Sequence, residues 1–332
     1  MLRWQSRPCG WRGLTMANLA WAVSAALGLR VIDLFAGLGG FSLGAEQAGC
    51  EVVWAANHWP SAVAVHAANH PRTEHVCQDL QQANWTLLPD FDLLLASPAC
   101  QGHAKARGKD RPHHDATRAT AWAVVAALEC HLPPFALIEN VPEMRNWTLF
   151  PAWCAAITAL GYAISPHLVD AADFGVPQHR KRLFIALTRS RYPIELRIPK
   201  LPMVSAASFI DFDAGTWSPI DKPGRSAATL ARVNSGRRAF GDRFVAPYFG
   251  RGSGTTGRCL SRPIGTITTR DRWAVIDGSR MRMLSVPEAA SAMGFPAAYQ
   301  LPEKKREAMH MLGNAVCPPV ARELIRSLME AA

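Results

Sequence analysis

Between residues 30 and 190 the chain alternates short apolar runs with longer Ala-rich stretches, and few folds accept that rhythm. The runs at 30–35, 51–55, 91–96, 136–138, 163–168 and 182–187 read as strands, and 41–48, 61–69, 117–129 and 151–160 read as helices. Strand–helix alternation of this kind predicts an α/β fold, a doubly wound, mainly parallel sheet covered on both faces. Ligands of such folds bind beyond the carboxyl ends of the strands, so the chemistry is expected in the loops that follow them.

The texture changes from about 191 to 280, where Pro and Gly become frequent and helical periodicity fades. Residues 225–280 hold eleven Arg, no Lys, three Asp and no Glu, a local net charge of +8 within a chain whose whole surplus is +10. Eight glycines share this segment, interleaved with Phe244, Tyr248, Phe249 and Trp273. Guanidinium groups bind phosphate and guanine bidentately, so the expected partner is a nucleic acid, with Arg237, Arg238 and Arg251 as candidate contacts. Helical pattern returns over 286–293, 303–311 and 320–329. The expected divisions are an N-terminal extension (1–29), a catalytic and cofactor-binding domain (30–190), a small, loop-rich recognition region (191–261), and a supporting segment (262–332) that returns to the first domain.

Arg3, Arg7 and Arg12 ahead of the apolar run 16–29 mimic a secretory signal. That run is shorter than the roughly 20 residues needed to span a bilayer. It feeds directly into the first strand, where cleavage would crop the fold's edge. A packed helix or a non-native upstream start is therefore expected, with no membrane association. The eight cysteines show no two-residue spacing, so no metal is indicated and reduced thiols in a cytoplasmic protein are the simpler reading.

After the first strand comes Gly37-Leu38-Gly39-Gly40, which lets the backbone turn sharply and approach a ligand before a helix begins. Ser42 breaks the dinucleotide spacing, and Asp33 beside the loop favours a nucleoside-like cofactor over a bare phosphate. The stretch from Asp33 to Ser42 resembles the first motif of the DNA (cytosine-5)-methyltransferases, which use S-adenosyl-L-methionine. Further motifs follow in family order over about 30–190 and 262–326. The resemblance implies the methyltransferase form of the α/β fold, with Asp33, Phe35, Gly37 and Gly39 around the cofactor. Asn57 stands where the family has a ribose-binding acid, and neighbouring His58 replaces the adenine's usual apolar or aromatic partner. Asp79 and Leu80 match the motif at the adenine amino group, and Gly313-Asn314-Ala315-Val316 matches the turn that closes the pocket. Arg262-Pro263 resembles the motif that supports the recognition domain.

Pro98-Ala99-Cys100 resembles the catalytic Pro-Cys motif, with Ala99 where Pro is usual. Carbon 5 of cytosine is a poor nucleophile until a thiolate adds at carbon 6 and breaks the ring's aromaticity, a step that suits cysteine. The resemblance gives Cys100 that role and gives Glu139, in Glu139-Asn140-Val141, the proton at the ring nitrogen, which requires a raised pKa. Gln178-His179-Arg180-Lys181-Arg182 matches the family's Gln-x-Arg-x-Arg, implying that Arg180 and Arg182 hold the base and orient Glu139 while Gln178 meets DNA. No motif marks the base that removes the carbon 5 proton, and water is a candidate. The target base would be flipped out of the duplex. The stretch 101–114, with Lys105, Arg107, Lys109 and Arg111, is expected to close over the DNA. The implied activity is methylation of cytosine carbon 5 in double-stranded DNA by one chain, with room for a cognate restriction endonuclease. An RNA-modifying relative and a catalytically silent DNA-binding relative are the alternatives.

Overall fold

The computed structural model describes residues 28–100, 112–248 and 257–331. Strands β1 (Arg30–Leu34), β2 (Glu51–Asn57), β3 (Glu74–Cys77), β4 (Leu93–Ala96), β5 (Phe135–Asn140), β6 (Ala163–Asp170) and β7 (Lys181–Thr188) form one sheet in the order β3-β2-β1-β4-β5-β7-β6. The five strands from β3 to β5 pair in parallel, while β7 runs antiparallel to both of its neighbours. The helices are α1 (Gly40–Gln47), α2 (Pro60–Asn69), α3 (Pro112–His131), α4 (Phe150–Ala159), α5 (Ala227–Phe240), α6 (Val286–Met293), α7 (Lys305–Asn314) and α8 (Pro318–Ala331).

Both faces of the sheet are covered, which explains why its central strands are mostly apolar. Val31, Leu93, Leu95 and Leu137 pack on one side with Phe41 and Ala45 of α1 and Leu324 and Leu328 of α8. Ile32, Leu34, Leu94 and Ile138 pack on the other with Val124 and Leu128 of α3 and Trp153 and Ile157 of α4. Because α8 lies against α1, the last helix completes the domain that the first strand begins.

A second, antiparallel sheet has the order β8-β11-β10-β9, from β8 (Ser218–Pro219), β9 (Arg243–Pro247), β10 (Trp273–Asp277) and β11 (Arg280–Met283). Its own core joins Val233 of α5 to Phe244, Ala246, Ala274, Ile276 and Met281. The sheet's pairing runs across residue 261 as far as Met283. Leu196, Ala206 and Ile210, by contrast, are buried in the large core.

The fading of helical periodicity expected after 191 is corrected here, since α5 is a regular helix of fourteen residues. Ser226 caps it, and only Thr229, Val233 and Gly236 are buried, a stripe too narrow to register as amphipathic. The edge strand β3 was also missed, because Glu74-His75-Val76-Cys77 buries none of its side chains fully. Among the described residues no helix is long and apolar enough to cross a membrane.

Candidate active site

Adjacent parallel strands β1, β4 and β5 end beside one another and deliver three loops to one place. Phe35 follows β1 in a left-handed conformation (φ 63°), strained for a side chain of its size, and this turns the chain into Gly37-Leu38-Gly39. After β4, the loop that carries Cys100 is tied at two points. Asn140 Nδ2 donates to the Pro98 carbonyl (3.0 Å), and the Ala99 amide donates to Thr120 Oγ1 (3.0 Å). Glu139 is the penultimate residue of β5, and its Oε1 lies 3.0 Å from Arg182 Nε of β7.

These ends enclose a cavity of about 180 Å³. Of the expected residues, Phe35, Gly37, Asn57, His58, Pro98, Cys100, Glu139, Asn314 and Val316 line it. Burial pushes the Cys100 thiol up, and the neighbouring Glu139 carboxylate adds to that effect against Arg182 and Arg180. Burial likewise raises Glu139, outweighing the two guanidinium groups. A carboxyl whose hold on its proton burial strengthens, beside a thiol and with a nearby cation, can protonate a weak ring base while sulfur attacks it.

Other expected residues stand apart from the cavity lining. Asp33 is fully buried beneath the loop, where its Oδ2 accepts from Ser42 Oγ (2.7 Å). Gly39 is the left-handed N-cap of α1. Asp79 is exposed and caps a short turn by accepting from the Gln81 amide (3.0 Å), while Leu80 is buried in the core.

Arg180 is nearly inaccessible and donates to the carbonyls of Ile267 (3.0 Å), Gly313 (2.9 Å) and Ala315 (2.9 Å). It therefore fastens the last motif to the catalytic strands, while Arg182 alone pairs with Glu139. Contact of Gln178 with DNA is corrected by its complete burial. Its amide nitrogen donates to the Ala292 carbonyl (3.0 Å), and its Oε1 accepts from the Ile267 amide (2.6 Å). Arg237 and Arg238 are exposed on α5, with Arg237 bonded to the Gly278 carbonyl (2.6 Å). Lys105, Arg107, Lys109, Arg111 and Arg251 lie outside the described residues, as does most of the N-terminal extension.

Several lining residues escaped the sequence reading. Trp59 and His310 meet across the cavity with ring centroids 5.4 Å apart, and Met311 and Ser97 complete the wall. An aromatic residue directly after the second strand was the one signal for Trp59. Ser97 Oγ is buried without a hydrogen-bond partner among the described residues. Asn57 Oδ1 accepts from the Trp59 amide (3.0 Å), which leaves its amide nitrogen to donate. Aromatic walls with unused polar groups fit a nucleoside: Phe35 and Trp59 suit a purine ring, and Asn57 suits a ribose hydroxyl.

The seven-stranded sheet with its single antiparallel strand, and the nucleoside-shaped cavity at its carboxyl edge, define an S-adenosyl-L-methionine-dependent methyltransferase. A family model for C-5 cytosine-specific DNA methylases matches residues 29–209 and 220–330. The chain belongs to that family, and S-adenosyl-L-methionine is its methyl donor for cytosine carbon 5 in DNA. The type II methyltransferase M.NlaX of Neisseria lactamica is 28% identical over 312 residues, covering 91% of this chain and 96% of that protein. M.HhaI of Haemophilus parahaemolyticus, also a type II methyltransferase, is 28% identical over 309 residues, covering 87% and 90%. Two solved structures share the fold. A chain encoded within an E. coli prophage has a TM-score of 0.68 at 23% identity, covering 91% of this chain and 99% of its own. The Entamoeba histolytica methyltransferase EhMeth has a TM-score of 0.66 at 16% identity, covering 91% and 98%.

Proposed function

We propose that Cys100 adds to carbon 6 of a cytosine flipped out of duplex DNA while Glu139 supplies the proton taken up at N3. One observation carries this reading: the thiol and a buried carboxyl whose pKa is raised share a single cavity at neighbouring strand ends. When bound, S-adenosyl-L-methionine supplies an electrophilic methyl group. Phe35, Asn57, Trp59 and Asn314 are the residues that would hold it.

The protons and charges balance as follows. Sulfur attacks as thiolate, having given its proton to solvent, and the electron pair it displaces from the ring is matched by the Glu139 proton at N3. Carbon 5 is then nucleophilic and accepts the methyl group. Loss of the carbon 5 proton to a base, with water the candidate, restores the double bond and expels thiolate. N3 then returns its proton to Glu139. Arg182 holds the carboxylate during the interval in which it is charged.

Duplex DNA is favoured over RNA by the family match and by the basic ground beside the cavity. An open cleft of about 880 Å³, lined by Arg270, Lys305 and Arg306, joins the active site through His310, which lines both. Phosphates of a bent or opened duplex would be held there and by the arginines of the small domain. The acting unit is one chain in the cytoplasm. The type II designation of its relatives extends to this chain as a partner: a separate, cognate restriction endonuclease that cuts the site this chain methylates.

Incubation with duplexes carrying 5-fluorocytosine tests the mechanism, because fluorine at carbon 5 blocks the final proton loss. A denaturation-resistant adduct that needs cofactor and disappears in Cys100→Ala is expected. No adduct on any duplex sequence, with transfer to tRNA instead, would overturn the DNA reading.

A further inference from the structure

Behind the cofactor loop lies a group of titratable side chains that the methyl-transfer chemistry does not use, with His70 and Tyr299 buried and Glu46 partly exposed. Tyr299 Oη donates to the Leu38 carbonyl (2.6 Å), His70 Nε2 stands 3.0 Å from that hydroxyl, and His70 Nδ1 stands 2.9 Å from Glu46 Oε1. Leu38 lines the cofactor cavity with Ala36 and Gly37. Tyr299 is held in place independently, because Asn69 of α2 exchanges two hydrogen bonds (3.0 and 2.8 Å) with the backbone of Gln300. Gly39 rests directly on the group, since an added Cβ would come 2.5 Å from Tyr299 Oη and 2.8 Å from His70 Nε2.

A carbonyl only accepts, so Tyr299 gives its one proton to Leu38. The phenol oxygen must then accept from His70, so Nε2 carries hydrogen. A neutral ring with hydrogen on Nε2 would turn the Nδ1 lone pair toward the Glu46 carboxylate, which is repulsive. The pair therefore holds one proton more than a neutral imidazole and a carboxylate. Remove that proton and the ring can donate to Glu46 or to Tyr299, but not to both. If it keeps Glu46, the tyrosine hydroxyl has two acceptors, Leu38 and Nε2, and a single proton to offer.

Resting on the cofactor reading above, we propose that Glu46, His70 and Tyr299 are positioning residues that strut the Leu38 carbonyl in its cofactor-binding geometry. The strut stands only while the His70–Glu46 pair keeps its extra proton. Cofactor affinity therefore falls as rising pH removes it.

The groups that face His70 from the surrounding elements are Asp33 on β1, Glu46 on α1, His66 on α2, His75 on β3 and Tyr299 ahead of α7. Asp33, Ser42, His66 and His75 form a second chain beside the first, with links of 2.7, 3.0 and 2.8 Å. Burial holds His66 and His75 low, and the His70 charge works against burial at Asp33. Asp33 itself titrates at about 7 and is left in place by any change at Glu46.

Calorimetric binding of S-adenosyl-L-homocysteine to the full chain across a pH series tests the strut. Wild-type affinity should fall on the alkaline side. Glu46→Gln removes the charge opposite His70 Nδ1 and should move that fall toward acid. Tyr299→Phe should weaken binding roughly tenfold at low pH and abolish the alkaline fall, because the linked carbonyl is no longer held. A packing defect alone would lower affinity without moving the pH profile. Wild-type binding with the Glu46→Gln profile superposed on it would overturn the strut alone. No wild-type binding at any pH would overturn the cofactor reading and the strut with it.

Discussion

Asp33 is a carboxylate the fold keeps under penalty, and Asp33→Asn should expose the size of that penalty. Its side chain is wholly buried. Oδ2 accepts one hydrogen bond from Ser42, and Oδ1 has no partner among the described residues. Burial lifts its pKa from an ordinary 3.8 to about 7. The folded state thus retains a proton that the unfolded chain releases. The stabilisation is complete below 3.8 and is lost as pH rises through about 7. Those two values place about 2–3 kcal/mol of the loss between pH 5 and pH 8. Asparagine keeps the Ser42 bond through its carbonyl oxygen but puts an unpaired amide where Oδ1 was, at a pH-independent cost of about 1–3 kcal/mol. Wild type should therefore be the more stable protein at pH 5. By pH 8 the gap should close or reverse. Urea unfolding of cofactor-free protein at the two pH values measures this, and groups away from Asp33 cancel in the comparison. A gap equal at both pH values within about 0.5 kcal/mol would refute the assignment of the penalty to Asp33.

Three further outcomes are expected. Glu139→Gln keeps its hydrogen bond to Arg182 but has no proton to give, so kcat should drop roughly 10²–10⁴-fold while S-adenosyl-L-homocysteine binding stays within twofold. Because burial raises Glu139, the wild-type rate should also decline as pH climbs through that raised value, and the variant's residual rate should lack this limb. Gly313→Ala pushes a methyl group into the backbone of Thr268 and Thr269 and should cost about 1–3 kcal/mol in unfolding experiments, with weaker cofactor binding through the adjoining Asn314. Gln178→Ala should lower Tm yet leave the salt dependence of DNA binding unchanged, whereas Arg306→Ala should flatten that dependence, as a filter-binding salt titration would show.

The large sheet was legible because each central strand is buried on both sides and is therefore mostly apolar, with Asp33 and Glu139 among the exceptions that serve the site. The same rule explains the miss at β3, an edge strand whose Glu74 and Cys77 face solvent. Cys100 and Glu139 were legible because short motifs at strand ends carry their own local geometry. Gln178 sits in an equally good motif and was misread, because what buries it comes from far along the chain: Ile267, Ala292 and Met293. Arg180 behaves in the same way, with acceptors 87 to 135 residues away. The strut beneath the loop was invisible for the same reason, since His70 and Tyr299 are 229 residues apart. Motif spacing reports side chains that face the cavity and side chains that brace it without distinguishing them. Burial separates the two.

The two reacting groups are also not independent. After burial, the largest influence raising Cys100 is the Glu139 carboxylate, so the site resists holding thiolate and carboxylate together. The productive form has the proton on Glu139, ready for the base, and sulfur ionised; in the idle form Glu139 is charged and sulfur keeps its proton. Arg182, 3.0 Å from Glu139, works toward the idle form by stabilising the carboxylate, against the larger effect of burial. A cytosine whose N3 accepts from Glu139 shifts the balance, since it rewards the proton on the carboxyl and frees the sulfur to attack. The thiol is thus guarded until a target base arrives. Glu139→Gln removes the charge that guards it. Alkylation of Cys100 by iodoacetamide in the free enzyme should then proceed faster at neutral pH, with its pH midpoint moved toward acid. The shift should be partial, because burial, the larger cause, remains. An alkylation profile identical to wild type would mean that burial alone holds the thiol and that the two protons are not coupled.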